Sequence, residues 1–435
     1  MRAALAPRFE FLGVLRRRYY RRYWLGLVAS VTSHQALLPA QGWLVYHITG
    51  EELALGFVAA AQAIPSIVFN LVAGALADRL DPRRLILIGE GFAAATIAVL
   101  ATLVLFGRVE VWHIIASSFL IGVSTSLDQP ARRVVWPVLI ERNQFMFATA
   151  LNQSVWNGTR VFAPMVGVGP IAIVAALTGD FQLGAAIAFY LIAAGFAAMA
   201  VAICAITLPD MKRATGRTVL HDIADGLRFV ARHRIFLLLL MMSFSIGYFG
   251  LSYQWLLPAY AADVLNLGPE GLGLLHTASG VGGLIGIFLS ASYGQQQSRA
   301  LMLGGGAGLL GASVLVFGLN GAMQWYWLAL AMAAASGGLY SVFQTASNTL
   351  LNLLVPTEYR GRVMGLRGVM WSLAPLGALQ AGFVASYTST PFAIVLGGGA
   401  VIAVTVLAFA FSGRLRAIHR LVEEANARET MAPAE

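Results

Sequence analysis

Apolar residues along this 435-residue chain come in long runs separated by short polar turns. A helix needs roughly 20 consecutive apolar residues to cross a bilayer. The runs predict spans near 23–46, 53–77, 84–106, 111–135, 145–177 and 183–208, then a second set near 235–262, 270–294, 300–320, 324–350, 362–387 and 391–413. Between the sets, 209–234 is the longest polar stretch. Within it, Val219 to Val230 repeats apolar residues at helical spacing, which predicts an amphipathic linker helix lying on the membrane surface. Residues 1–22 form a basic N-terminal segment and 414–435 a mixed-charge tail. The N-terminal segment lacks an apolar core followed by a small-residue cleavage site, so the first span itself is expected to direct insertion.

The pattern therefore predicts an all-α membrane protein with 12 transmembrane helices in two pseudo-symmetric six-helix bundles, 23–208 and 235–413. The halves echo each other weakly. Aligning Asp128-Gln-Pro-Ala-Arg132 with Phe343-Gln-Thr-Ala-Ser347 pairs Gln129 with Gln344 and Ala131 with Ala346. Halves related by an axis along the membrane normal imply a cavity between them.

Composition agrees: 58% of residues are hydrophobic and 11% charged, with a mean hydropathy of +0.73, against about 25% charged in ordinary soluble domains. A single cysteine, Cys204, excludes an intramolecular disulfide, and no metal-type Cys/His spacing is present, so no metal and no cofactor is expected. The net charge of +9 sits in short loops. That arrangement suits anionic lipid headgroups at the inner face and argues against nucleic acid. Lys and Arg are retained on the cytoplasmic side; with both termini inside, 27 of the 29 bases fall in inner segments, Arg108 falls outside and Arg160 within a span. The expected location is the plasma (inner) membrane, multi-pass, with both termini cytoplasmic.

The densest charge cluster between two apolar runs is Gly74-Ala-Leu-Ala-Asp-Arg-Leu-Asp-Pro-Arg-Arg84. It resembles the loop between the second and third helices of the major facilitator superfamily, with Gly74, Leu76, Ala77, Asp78, Arg79, Arg83 and Arg84 matching and Asp81-Pro82 replacing the usual Gly. Gly42 to Gly50, Asp128 to Arg132, Gly226 to Phe229 and Arg360 to Gly365 are similar to the branch holding the enterobactin exporter and macrolide-efflux proteins. The resemblance implies the major facilitator fold, alternating access, monomeric function and a cytoplasmic gate. In that gate Asp78 would cap the start of the eleventh helix near Gly361, Arg362 and Val363, since a carboxylate is stabilised at a helix N-terminus. Arg83 or Arg84 would then pair with Asp128. The plainer reading is a solvated cluster that only enforces topology.

Ionisable groups within spans are costly, about 2.5–3.5 kcal/mol for a central Arg, and so mark function by default. On the fifth helix Gln153, Trp156, Asn157, Arg160 and Pro164 share a stripe that should line the cavity, with Arg160 holding an acceptor-rich substrate or pairing with a structural group. Pro164 and Gly167 stand where related antiporters carry a Gly-Pro-x-x-Gly-Gly signature, but Ala163 and Val168 depart from it; a helix-bending role remains. Further cavity candidates are His34 and Gln41 on the first helix, Gln62 and Asn70 on the second, Tyr248, Gln254 and Trp255 on the seventh, and Tyr340, Gln344 and Asn348 on the tenth. Each of these could instead join helices by hydrogen bonds. Glu90, on the third helix near the inner surface, is expected to snorkel or pair with a loop base, which leaves no clear proton carrier. The glycines at Gly282 to Gly286 and Gly304 to Gly308 are expected to pack helices within the chain.

The only lysine, Lys212, follows Met211, so no phosphate-binding Gly-Lys loop exists, and no His-Glu-x-x-His is present; a primary pump and an intramembrane zinc protease are both disfavoured. A non-enzymatic secondary transporter is expected. Its predicted cargo is an amphipathic or aromatic small molecule of drug or siderophore type, exported by proton antiport, with the proton gradient as energy source. Alternatives are a lipid or lysolipid flippase of the same fold or, in a different class, a membrane sensor without net flux or an intramembrane enzyme.

Overall fold

The computed structural model describes residues 13–77, 81–207, 219–293 and 299–412, with backbone alone at 69–77, 219–224, 293, 299–300 and 357. Every element among them is helical. The first six predicted spans become α1 (Arg18–Thr49), α2 (Glu52–Ala77), α3 (Pro82–Leu105), α4 (Val111–Val138), α5 (Phe145–Thr178) and α6 (Phe181–Cys204). The linker helix is α7 (Val219–Arg232). The seventh span is broken: α8 (Arg234–Ser245), a π-helical turn at Ile246–Gly250, α9 (Tyr253–Ala259) and a second π turn at Tyr260–Val264. Then come α10 (Pro269–Tyr293), α11 (Arg299–Leu319), α12 (Tyr326–Leu354), α13 (Thr357–Tyr387) and α14 (Thr390–Phe411).

Ten helical runs among the described residues are long and apolar enough to cross a membrane. α1 is not one of them, because His34, Gln35 and Gln41 lower its hydropathy. α2 is apolar over Glu52–Val68, the part of it whose side chains are described. Local chemistry sets the turns. Between α5 and α6 the chain reverses through Gly179, whose φ of 73° favours glycine, and Asp180 then accepts a hydrogen bond from Leu183 N to start the next helix. α3 begins the same way, with Asp81 accepting from Arg83 N and Pro82 in the first turn.

The helices gather into two compact units. Unit 1 is Met1–Thr49, Ile64–Gly216 and Gly268–Thr277; unit 2 is Gly50–Ala63, Arg217–Leu267 and Ala278–Glu435. α2 and α10 are therefore each divided between the units.

In unit 1, Tyr20, Tyr23, Leu27 and Val31 of α1 pack with Ile86 of α3, Val135 of α4, Val155 of α5 and Met199 of α6. Small residues let backbones approach where lipid gives helices no hydrophobic drive to associate. A Cβ on Gly167 would overlap the Ala36 carbonyl oxygen. In unit 2 the same device joins α10 to α12, where a Cβ on Gly282 would strike Ala334 O and one on Gly337 would strike Ser279 O. The glycines of α10 thus pack within the chain, as expected.

The linker helix does more than lie on a surface. Its Phe229 stacks on Tyr359 of α13 at 4.3 Å, Val230 is buried, and Asp225 lies 3.8 Å from Arg362. Gly226 leaves room for the Arg362 side chain, 3.1 Å from where a Cβ would stand. Phe229 and Val230 of its apolar stripe are thus held by protein, while Leu227 is exposed.

Candidate functional site

Buried ionisable side chains mark two cavities, one in each unit. In unit 1, Arg132 sits in the second turn from the C-terminal end of α4 and is 6% exposed. Its Nη2 binds Glu90 Oε1 of α3 and, at 2.7 Å, Ser30 Oγ of α1; its Nε meets Asp128 Oδ2 one turn back at 2.5 Å. Ser30 Oγ also donates to Glu90 Oε1 at 2.9 Å. Three helices are therefore tied through one guanidinium. Glu90 Oε2, Asp128 Oδ1 and Arg132 Nη1 are buried and bind no protein group. The adjoining cavity is lined by His34, Gln129 and Trp156 as well as the charged trio. His34 meets the Trp156 ring edge-on at 6.4 Å.

This arrangement corrects two expectations. Asp128 does not pair with Arg83 or Arg84. Arg83 donates to the Ile203 and Cys204 carbonyls at 3.2 and 2.8 Å, satisfying the C-terminal end of α6, and exposed Arg84 stands 3.9 Å from Asp81. A base four residues along the same helix from Asp128 is nearer than any loop base. Glu90 is not peripheral, because it faces Ser30 and Arg132 and is 4% exposed.

The proposed helix cap also needs revision. α13 starts at Thr357, so the free amides of its first turn belong to 357–360, and Gly361, Arg362 and Val363 already lie inside the helix. Asp78 and Arg79 lie outside the described residues, and Gly74 lies where backbone alone is described. Arg362 is engaged by Asp225 and by the Tyr359 ring, 5.5 Å from its guanidinium.

The remaining candidates divide. Gln41 is consumed between α1 and α4, donating to Ser117 Oγ at 3.0 Å and accepting from Ser118 Oγ at 3.2 Å, so it is a helix joint and not a cavity residue. Trp156 reaches the cavity, whereas Gln153 is exposed, Asn157 donates to the Gln153 carbonyl at 2.9 Å, and half-buried Arg160 is outside the cavity lining. Of the fifth-helix stripe, Trp156 is the member that lines this cavity. α5 continues through Pro164, and Gly167 serves close packing on α1. Gln62 is half-buried, and the side chain of Asn70 is not described. Tyr248 lies in the first π turn, stacked on Phe244 at 5.2 Å; Gln254 and Trp255 are half-buried in α9, and Asn348 is half-buried in α12.

In unit 2 the second cavity is lined by Ser243, Gly247, Tyr340, Gln344, Arg367 and Trp371. Arg367 is 8% exposed and donates from Nη2 to Gln344 Oε1 at 2.8 Å. The Tyr340 and Trp371 rings meet edge-on at 5.9 Å. Sequence reasoning overlooked Arg132, Arg367 and Trp371. A signal for the last existed: Trp156 and Trp371 are separated by 215 residues, as are Gln129 and Gln344. The repeat thus places a Gln and a Trp in both cavities. A third cavity, at the opposite end of unit 1, is lined by His47, Asp180 and Phe181, where none of the candidates stands.

Comparison with known proteins agrees with the helical architecture. Macrolide efflux protein A of Streptococcus pyogenes is 24% identical over 388 residues, covering 88% of this chain and 93% of that protein. Multidrug efflux pump Tap of Mycolicibacterium fortuitum is 27% identical over 352 residues, covering 78% and 82%. In fold, the chain is similar to the inward-facing crystal structure of a bacterial homologue of the iron transporter ferroportin, with a TM-score of 0.71 at 17% identity over 91% of this chain and 99% of that one. The family described as transmembrane secretion effector matches residues 10–433. With its helical spans, that match identifies the chain as a member of the transmembrane secretion effector family within the major facilitator superfamily, a multi-pass membrane transporter and not an enzyme.

Proposed function

We propose that the protein is a secondary active exporter that works by alternating access, moving an amphipathic or aromatic small molecule of drug or siderophore type outward in exchange for protons. The observation that carries the coupling is the buried trio of two carboxylates and one guanidinium, Glu90, Asp128 and Arg132. One guanidinium balances one carboxylate, so the charge-neutral trio holds one proton. Titratable groups this close share their protons as a unit. Deprotonation leaves a net negative charge inside the bundle, which is unfavourable unless the helices around it rearrange or water enters. Because Ser30, Glu90 and Arg132 bring α1, α3 and α4 together, a proton arriving or leaving changes the bonds among three helices. The efflux names of the relatives support the outward direction. The distribution of bases supports both termini on the cytoplasmic side, with anionic lipid at the inner face.

The test is flux into inside-out proteoliposomes under an imposed pH gradient, with a macrolide, an aromatic dye and a catechol siderophore as cargoes. Collapse of the gradient should abolish accumulation, and Glu90→Gln with Asp128→Asn should lower gradient-driven accumulation at least tenfold while cargo exchange at equal pH persists. Undiminished gradient-driven accumulation in the double variant would sink the coupling assignment. Movement of lysolipid with none of the three cargoes would favour the flippase reading.

A further inference from the structure

Two arginines are buried among the described residues, and they differ in company. Arg132 is held by two acids. Among the described residues, Arg367 has no carboxylate within ion-pair distance, and its guanidinium makes one hydrogen bond, to the neutral Gln344 side chain. A guanidinium carries five donors and is always charged. Most of the donors of Arg367 are therefore left without a protein acceptor, in a helix that crosses the membrane. Such a group is retained inside a span when it faces a cavity and serves a ligand.

The surroundings point to the same chemistry. Since Gln344 Oε1 accepts from Arg367, its amide NH2 is free to donate, and neither it nor the Trp371 indole N–H meets an acceptor among the described residues. The Arg367 guanidinium, the Gln344 amide and the Trp371 indole thus bring donors to one cavity, and no acid lines it. The Tyr340 and Trp371 rings form its aromatic wall. Gly247, in a π turn, also lines the cavity, and a Cβ there would stand 3.2 Å from Ala374 and 3.9 Å from the Trp371 ring. π turns within helices recur at functional sites.

We propose that this cavity, with room for about 20 Å³, is an anion subsite that takes only the acid group of an aromatic acid, the carboxylate or sulfonate on Arg367 and Gln344 and the ring at the mouth against exposed Trp371. The inference rests on the transport reading only in taking the occupant to be cargo. It narrows that cargo to aromatic acids. A planar guanidinium suits a carboxylate through two parallel hydrogen bonds. The Gln344 contact then acts as a holder, keeping the fork aimed into the cavity while the site is empty.

The experiment is equilibrium binding of 1-naphthoate and its neutral isostere 1-naphthamide to the purified full-length protein in detergent, followed by calorimetry and by quenching of tryptophan fluorescence. Naphthoate is expected to bind at least tenfold more tightly than naphthamide. Arg367→Gln should abolish that preference, and Arg367→Lys should keep part of it. Trp371→Phe should weaken both ligands alike while leaving the preference intact. The unliganded Arg367→Gln protein should melt no lower than the wild type, because it loses a charge that has no internal partner. Equal affinity for the two ligands, absence of naphthoate binding, persistence of the preference in Arg367→Gln, or a lower melting temperature for that variant would each overturn the assignment. Binding needs no gradient, so this result is independent of whether proton-driven flux is found.

Discussion

Arg132 is the side chain on which most depends in unit 1, since a single guanidinium holds Glu90, Asp128 and Ser30. Removing one partner from a buried charge cluster typically costs about 3–5 kcal/mol, because the charges left behind are uncompensated. Arg132→Met should therefore lower the melting temperature in detergent sharply, and adding Glu90→Gln and Asp128→Asn should recover most of the loss. No recovery in the triple variant would show that the arginine acts through packing alone. This cluster was only partly legible in the sequence. Asp128 stood out, but Arg132 and Arg367 were counted with the bases of inner loops, since an arginine within a few turns of a predicted span end is indistinguishable by hydropathy from one at the surface. Glu90 suffered the same ambiguity. Linear distance from a helix end says nothing about which face a side chain occupies. Gln41 shows the converse, because a polar residue in a span looks like a ligand group until its two serine partners are seen.

Helices were far easier to read than their contacts. Each predicted span has a helix, since an apolar run of membrane length has little other choice. Boundaries slipped where polarity and helicity diverge: Thr357-Glu-Tyr-Arg360 reads as loop but forms the first turn of α13, which moved the cap away from Gly361. The π turns of the seventh span were invisible for a different reason. One extra residue per turn leaves hydropathy unchanged. Glycine contacts now separate two kinds of substitution. Gly282→Leu should disrupt the α10–α12 contact and depress thermal stability, because the obstacle is the Ala334 backbone and cannot move aside. Gly361→Ala, in a helix interior with nothing within 4 Å, should stabilise by about 0.5–1 kcal/mol. Equal effects of the two on melting temperature would contradict the close approach of those backbones.

The proposed orientation has a built-in probe. Cys204 is the only cysteine of the chain, is exposed, and ends α6, which the distribution of bases assigns to the cytoplasmic face. A membrane-impermeant maleimide should label it in inside-out vesicles and spare it in intact cells; labelling from outside would reverse the topology. Charge asymmetry carries the proposed orientation, while the helical spans themselves were readable from the apolar runs. What the sequence could not convey is that Gly50–Ala63 belongs with unit 2 and Gly268–Thr277 with unit 1. Neither half of the gene encodes a complete unit. A chimaera that trades halves with a homologue at the linker would carry over a foreign segment in each unit, so two buried seams must match as well as the junction itself. Genetic exchange within such a family is expected to succeed when these short helical segments travel with their hosts, and to fail when the linker alone is taken as the border.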